Sequence, residues 1–115
     1  DPFTGNLSFH EGLDICAPSG TPILAAAEGV VRFSSTRAGY GLTICIDHGR
    51  GVTTWYAHVG SLKVANGQSV NRGHVIGTVG TSGRVTAPHV HYEVRIASKA
   101  QNPVEYILPA NLVVD

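Results

Sequence analysis

The chain has 115 residues, 43% of them hydrophobic, and its eight lysines and arginines balance eight aspartates and glutamates. That is the length and composition of one ordinary domain with a single core, and zero net charge excludes a global field drawing it to nucleic acid or to an anionic membrane surface. No apolar run approaches the roughly 20 residues of a membrane span, and no basic segment followed by an apolar one reads as a signal peptide.

The absence of methionine leads to the expectation that residues 1–115 are a single domain, processed or excised from a longer protein whose upstream part could carry an export signal or anchor. Fourteen glycines and six prolines punctuate short runs rich in Val, Ile, Thr and Tyr, which is the pattern of an all-β domain. After a terminal stretch "DPFTGNLS", read as a loop or closing edge strand, the predicted strands follow in order. They are "GLDIC", "PILAAAEGVVRFSS", "GLTICIDH", "TTWYAHV", a short one at Ser69 and Val70, "HVIGTVG" and "HVHYEVRI". A helical turn is expected at "PVEYIL", and "PANLVVD" closes the chain. With no sustained 3.6-residue period, parallel βαβ architecture is disfavoured. The segments "APSGTPILAAAEGVVRF" and "VANGQSVNRGHVIGTVG" echo each other, which fits two hairpin-rich halves meeting in an antiparallel sandwich or barrel-like core. The connections at residues 34–40 and 81–88 are short and would flank an open groove.

Six histidines are a surplus for this size, and their spacing is informative. His89 and His91 lie two apart, so an extended strand turns both to one face. His10 and Asp14 are four apart, and the flexible Gly12 between them permits convergence. Two imidazoles and a carboxylate suit Zn²⁺, with an open position for water in a catalytic site. His10, Asp14 and one of the H-x-H pair could supply that set, leaving the other histidine as general base or donor to a developing oxyanion. His58, at the end of "WYAHV", would add a second non-ligand imidazole. Taken alone, an H-x-H is as compatible with an exposed strand face, and an H-x-x-x-D is weaker still. Their joint occurrence with His58 makes packing a poor explanation. His48, in "DHGRG", reads as turn chemistry or hydrogen bonding, and His74 as a solvent-facing strand residue. Arg84 and Thr86 would line a cleft beside the H-x-H. Cys16 and Cys45 lack C-x-x-C spacing and fit buried thiols or a disulfide better than metal ligands.

The blocks "HEGLDICAPSGTPILAAAEGVV", "GYGLTICIDHGRGVTTWYAHV", "VNRGHVIGTVGTSGR" and "TAPHVHYEVR" resemble, in order, the signatures of lysostaphin/LytM-type zinc metalloendopeptidases that cut peptidoglycan cross-bridges. The resemblance spans residues 10–108. It implies one zinc per chain held by His10, Asp14 and His91, with His58 and His89 as the non-ligand catalytic histidines. It further implies an antiparallel β core of the duplicated hybrid type with loops walling a narrow groove, a peptidoglycan peptide as substrate, and an extracytoplasmic setting, in the periplasm or cell envelope or after secretion. A monomeric domain, which an upstream segment could regulate, is expected. Two other readings compete. A non-catalytic relative that binds cell wall or activates other hydrolases would show substituted ligand positions, and none of the five is substituted. A sugar phosphotransfer carrier with a histidine pair would leave Asp14 without purpose.

Overall fold

The computed structural model describes residues 7–8, 12–80, 87–96 and 99–101. Among them there are ten β-strands and no helix: β1 (Leu7–Ser8), β2 (Gly12–Cys16), β3 (Pro22–Leu24), β4 (Gly29–Arg37), β5 (Gly41–Gly49), β6 (Val52–Leu62), β7 (Ser69–Val70), β8 (Val75–Val79), β9 (His89–Ile96) and β10 (Lys99–Gln101). All pairings are antiparallel, and the main path runs β1-β2-β9-β6-β5-β4-β7. The expected all-β antiparallel class is thus what forms.

The long predicted strand "PILAAAEGVVRFSS" is broken by residues 25–28 into β3 and β4, because the two parts have different partners, β8 and β5. Gly29 restarts the strand where the Asp47 carbonyl would sit only 2.5 Å from any Cβ, an approach open to glycine alone. Strand β4 continues to Arg37, so the hairpin to β5 has a three-residue connection at 38–40, tighter than the connection expected over 34–40. The echoed segments do meet. The short strand of each half pairs with a strand of the other, β3 with β8 and β7 with the start of β4. The expected turn at "PVEYIL", the "PANLVVD" terminus and most of the 81–88 connection lie outside the described residues.

Period-two alternation sorts the central strands into two faces. Leu13 and Ile15 on β2, Ile44 and Ile46 on β5, Tyr56 on β6, and Val90, Tyr92 and Val94 on β9 are essentially inaccessible and form one cluster with Ile23, Ile76 and Val79 from the β3–β8 ladder. The Tyr56 and Tyr92 rings, 5.3 Å apart and tilted, sit at its centre. The opposite face carries Asp14, His89, His91, Glu93, Arg95 and Trp55. Strand β6 is where the sheet forks: along one edge it pairs with β9 from Val52 to Ala57, then with β8 from Val59 to Leu62. The residue at the fork is His58.

Candidate active site

The register between β2 and β9 places Asp14 directly opposite His91 and Cys16 opposite His89. The alternation that buries Val90 and Tyr92 turns both histidines outward, as their spacing required. Asp14 Oδ1 lies 2.8 Å from His91 Nδ1. The other ring nitrogen, Nε2, lies 2.8 Å from Glu93 Oε2. Both neighbours are carboxylates, so each ring nitrogen donates a proton and the imidazole is cationic in the metal-free chain. Burial works against that charge, but the bonds to Asp14 and Glu93 outweigh it and push the pKa up to about 9. The same bond from His91 holds the Asp14 carboxyl below its ordinary value, against the opposing effect of partial burial. Glu93 is almost fully buried; desolvation alone would raise it, and the bonds from His91 and Arg95 bring it below the ordinary glutamate value.

His89 is oriented differently. Its Nδ1 lies 3.1 Å from the carbonyl oxygen of Ala87, which can only accept, so Nδ1–H donates to it and this bond leaves Nε2 uncommitted.

Simple alternation through "TTWYAHV" would send His58 to the core face with Tyr56. A β-bulge prevents this. Leu42 pairs with Val59 and Ile44 with Tyr56, so Ala57 and His58 together oppose Thr43. His58 takes φ 60°, one of only two positive values among the described non-glycine residues, and its N–H donates to the Tyr40 carbonyl at 2.8 Å. The extra residue returns Val59 to the core at 0% exposure and rotates His58 outward. Its ring centroid then lies 5.5 Å from that of His89. A left-handed backbone costs a non-glycine residue of order 1–2 kcal/mol, and such strain is characteristic of functional sites. Where the fork opens, Gly60 and Gly80 cross with no room for side chains: a Cβ on Gly80 would lie 2.3 Å from the Gly60 Cα. Gly80 also bridges to His89, so this crossing ties β6 to β9 beside the two histidines.

Four of the five expected site residues, Asp14, His58, His89 and His91, are therefore brought together on one face. His10 lies outside the described residues, as do Arg84 and Thr86. Among the described residues no three His, Cys, Asp or Glu side chains form a metal-binding group; Asp14 and His91 supply two converging donors. One participant was not anticipated. Glu93 continues the alternation of His89 and His91, and its i+2 spacing in "HVHYE" was the available signal.

The remaining expectations resolve simply. His48 bonds the Glu28 carbonyl through Nδ1 at 2.7 Å and Thr54 through Nε2 at 2.8 Å, a hydrogen-bonding role as expected. His74 is exposed just before β8. Cys16 and Cys45 are free thiols, one exposed and one buried. In the sheet order β2-β9-β6-β5 they stand three strand steps apart, about 14 Å across the strands, and are offset by four residues along them, so no disulfide can join them. Burial pushes the Cys45 thiol up to about 11.

Residues 8–103 match the family profile described as Peptidase family M23. The chain belongs to peptidase family M23. As a family M23 domain it is 45% identical over 108 residues to the DD-carboxypeptidase/endopeptidase Mpg of Neisseria meningitidis serogroup B, covering 94% of this chain and 25% of that protein. It superposes on the crystal structure of a putative peptidase M23 from Pseudomonas aeruginosa with TM-score 0.79 and 39% identity, covering 90% of this chain and 47% of that one. It also superposes on a zinc containing peptidase from Vibrio cholerae with TM-score 0.80 and 32% identity, covering 87% of this chain and 31% of that one. The chain spans about a quarter of the length of these curated relatives. The resemblance noted from the sequence is thereby borne out.

Proposed function

We propose that this family M23 domain is a zinc-dependent endopeptidase that hydrolyses amide bonds in the peptide cross-links or stems of peptidoglycan, working outside the cytoplasm and, in our reading, in the periplasm. One observation carries the proposal: an Asp14–His91 donor pair and two further imidazoles share one sheet face. The donors fit zinc chemically. A carboxylate oxygen and an imidazole nitrogen from adjacent strands face each other, and the second nitrogen of the imidazole is backed by a buried carboxylate. His10, on the segment leading into β2, completes the proposed ligand set of His10, Asp14 and His91.

When bound, zinc supplies Lewis acidity, polarising the scissile carbonyl and acidifying water. The rest falls to the protein. His89, with Nδ1–H committed to Ala87, offers Nε2 to take a proton from the attacking water and later return it to the leaving amine. His58, locked by the bulge beside His89, donates to the negative charge that develops on the carbonyl oxygen. The sheet face around Trp55 and Ala57 is the floor on which an extended peptide lies. The relatives named DD-endopeptidases favour a direct stem-to-stem cross-link in a Gram-negative envelope as the bond cut. We further propose that the domain acts as a monomer, open to regulation by a segment upstream in sequence.

The test combines metal analysis with digestion of purified sacculi by the parent chain and by His91→Ala. One zinc per chain with release of muropeptides is expected from the parent, and loss of both from the variant. Undiminished cleavage by His91→Ala, or full activity in a metal-free parent, would overturn the assignment.

A further inference from the structure

The site face contains a carboxylate that the reaction itself does not use. Glu93 is 3% exposed, and a bare carboxylate in such a place is strongly disfavoured unless its oxygens are matched. They are matched unequally. Arg95 directs Nε at 2.8 Å and Nη2 at 2.7 Å to Oε1 alone, which leaves Oε2 for His91 Nε2 at 2.8 Å. Arg95 is itself steadied with its guanidinium 4.7 Å from the Trp55 ring centroid, and Trp55 Nε1 donates to Thr53 Oγ1 at 3.1 Å.

Room for this side chain is provided from the other flank by Gly12. A Cβ there would lie 2.6 Å from Glu93 Cγ and 2.3 Å from the Tyr92 carbonyl oxygen. Three independent features therefore converge on one carboxylate: a glycine that admits it, an arginine that claims one oxygen, and an imidazole that meets the other.

We infer that Glu93, held by Arg95 and admitted by Gly12, is a positioning residue that fixes the ring rotation and tautomer of His91 so that Nδ1, and never Nε2, is presented toward Asp14 and the metal. The physical basis is that an imidazole bonded through Nε2–H to a fixed acceptor cannot flip without breaking that bond and burying an unmatched oxygen. Arg95 acts one step further out, by choosing which oxygen remains available. The inference rests on the reading of His91 as a zinc ligand.

It is tested without substrate. Zinc affinity is measured at pH 9.5, where a proton on His91 no longer competes appreciably with the metal, by competition with a chromophoric chelator for the parent chain, Glu93→Gln and Glu93→Ala, with thermal melting of the metal-free proteins alongside. In the zinc-loaded parent, ¹⁵N–¹H NMR of the histidine rings identifies which His91 nitrogen carries a proton. A loss of 10- to 100-fold in affinity is expected for Glu93→Ala, with substantial recovery in Glu93→Gln, whose amide oxygen can still accept from Nε2–H. A slowly exchanging Nε2–H is expected in the parent. Affinity in Glu93→Ala within twofold of the parent, equal losses in both variants, or metal on Nε2 of the parent would each overturn the inference. The NMR result decides even if Glu93→Ala fails to fold. Zinc-loaded parent protein that leaves sacculi intact would sink the peptidase reading while leaving this one standing, and a parent that binds no zinc would sink both.

Discussion

Zinc uptake by this chain should depend on pH well above neutrality. His91 is enclosed by two carboxylates, and its pKa is pushed up from 6.5 to about 9 by the bonds to Asp14 and Glu93, which outweigh desolvation. As a proposed zinc ligand His91 must be neutral to bind, so at every pH below about 9 binding would displace one proton from this ring. At pH 7 the gap of about two units lowers the apparent affinity on the order of a hundredfold from its alkaline limit, or about 3 kcal/mol. An unperturbed imidazole would already be within a factor of about two of that limit at pH 7. The same group also acts on folding. Its folded pKa lies above the unfolded one, so its contribution to the metal-free protein is complete below about pH 6.5 and is lost as pH rises through about 9, a change of order 3 kcal/mol. Chelator competition between pH 7 and 8.5 should show zinc affinity climbing about tenfold per pH unit, and urea unfolding of the metal-free chain should show stability falling over the same interval. Affinity that is level from pH 7 to 8.5 would refute the idea that a proton shared with Asp14 and Glu93 competes with the metal.

Three further outcomes are expected. His89→Ala should keep one zinc per chain while losing 10²- to 10⁴-fold in turnover on sacculi, and a variant that loses its zinc would show that His89 is a ligand. His58→Gly should be about 0.5–1 kcal/mol more stable than His58→Ala in chemical denaturation, because only glycine relieves the left-handed φ of 60°; equal stability would mean that the bulge relaxes on substitution. Gly80→Ala places a Cβ 2.3 Å from the Gly60 Cα and should cost about 1–3 kcal/mol in stability, with a fall in turnover as β6 and β9 are pushed apart beside His58 and His89; a melting temperature and activity equal to the parent would refute the tight crossing.

What the sequence revealed of this site depended on whether the determining interaction was local. The H-x-H pair was legible because period-two alternation is a property of the strand alone, and Val90 and Tyr92 needed only to be apolar for His89 and His91 to face outward. Glu93 obeys the same alternation and was in principle just as legible, yet a buried carboxylate has meaning only once Arg95, Gly12 and His91 are seen around it. The separation of Cys16 from Cys45 was not legible at all, since it follows from β9 and β6 being inserted between their strands, a matter of sheet order.

His58 shows the limit most sharply. Its strand was correctly expected, and applying alternation to that strand places it beside Tyr56 in the core, the wrong face for chemistry. The bulge that corrects this is written in residues distant in the chain: Thr43 opposes two residues at once, the Tyr40 carbonyl receives the His58 N–H, and the Gly60–Gly80 crossing lets β6 exchange β9 for β8 one residue later. Each is unremarkable on its own strand. A position where local preference and observed geometry disagree, and where the backbone is held in a disfavoured region by several independent contacts, is where a folded chain has traded stability for the placement of a side chain. In this domain that side chain is the imidazole facing His89, which is why the fork in the sheet, as well as the proposed metal ligands, belongs to the proposed catalytic apparatus.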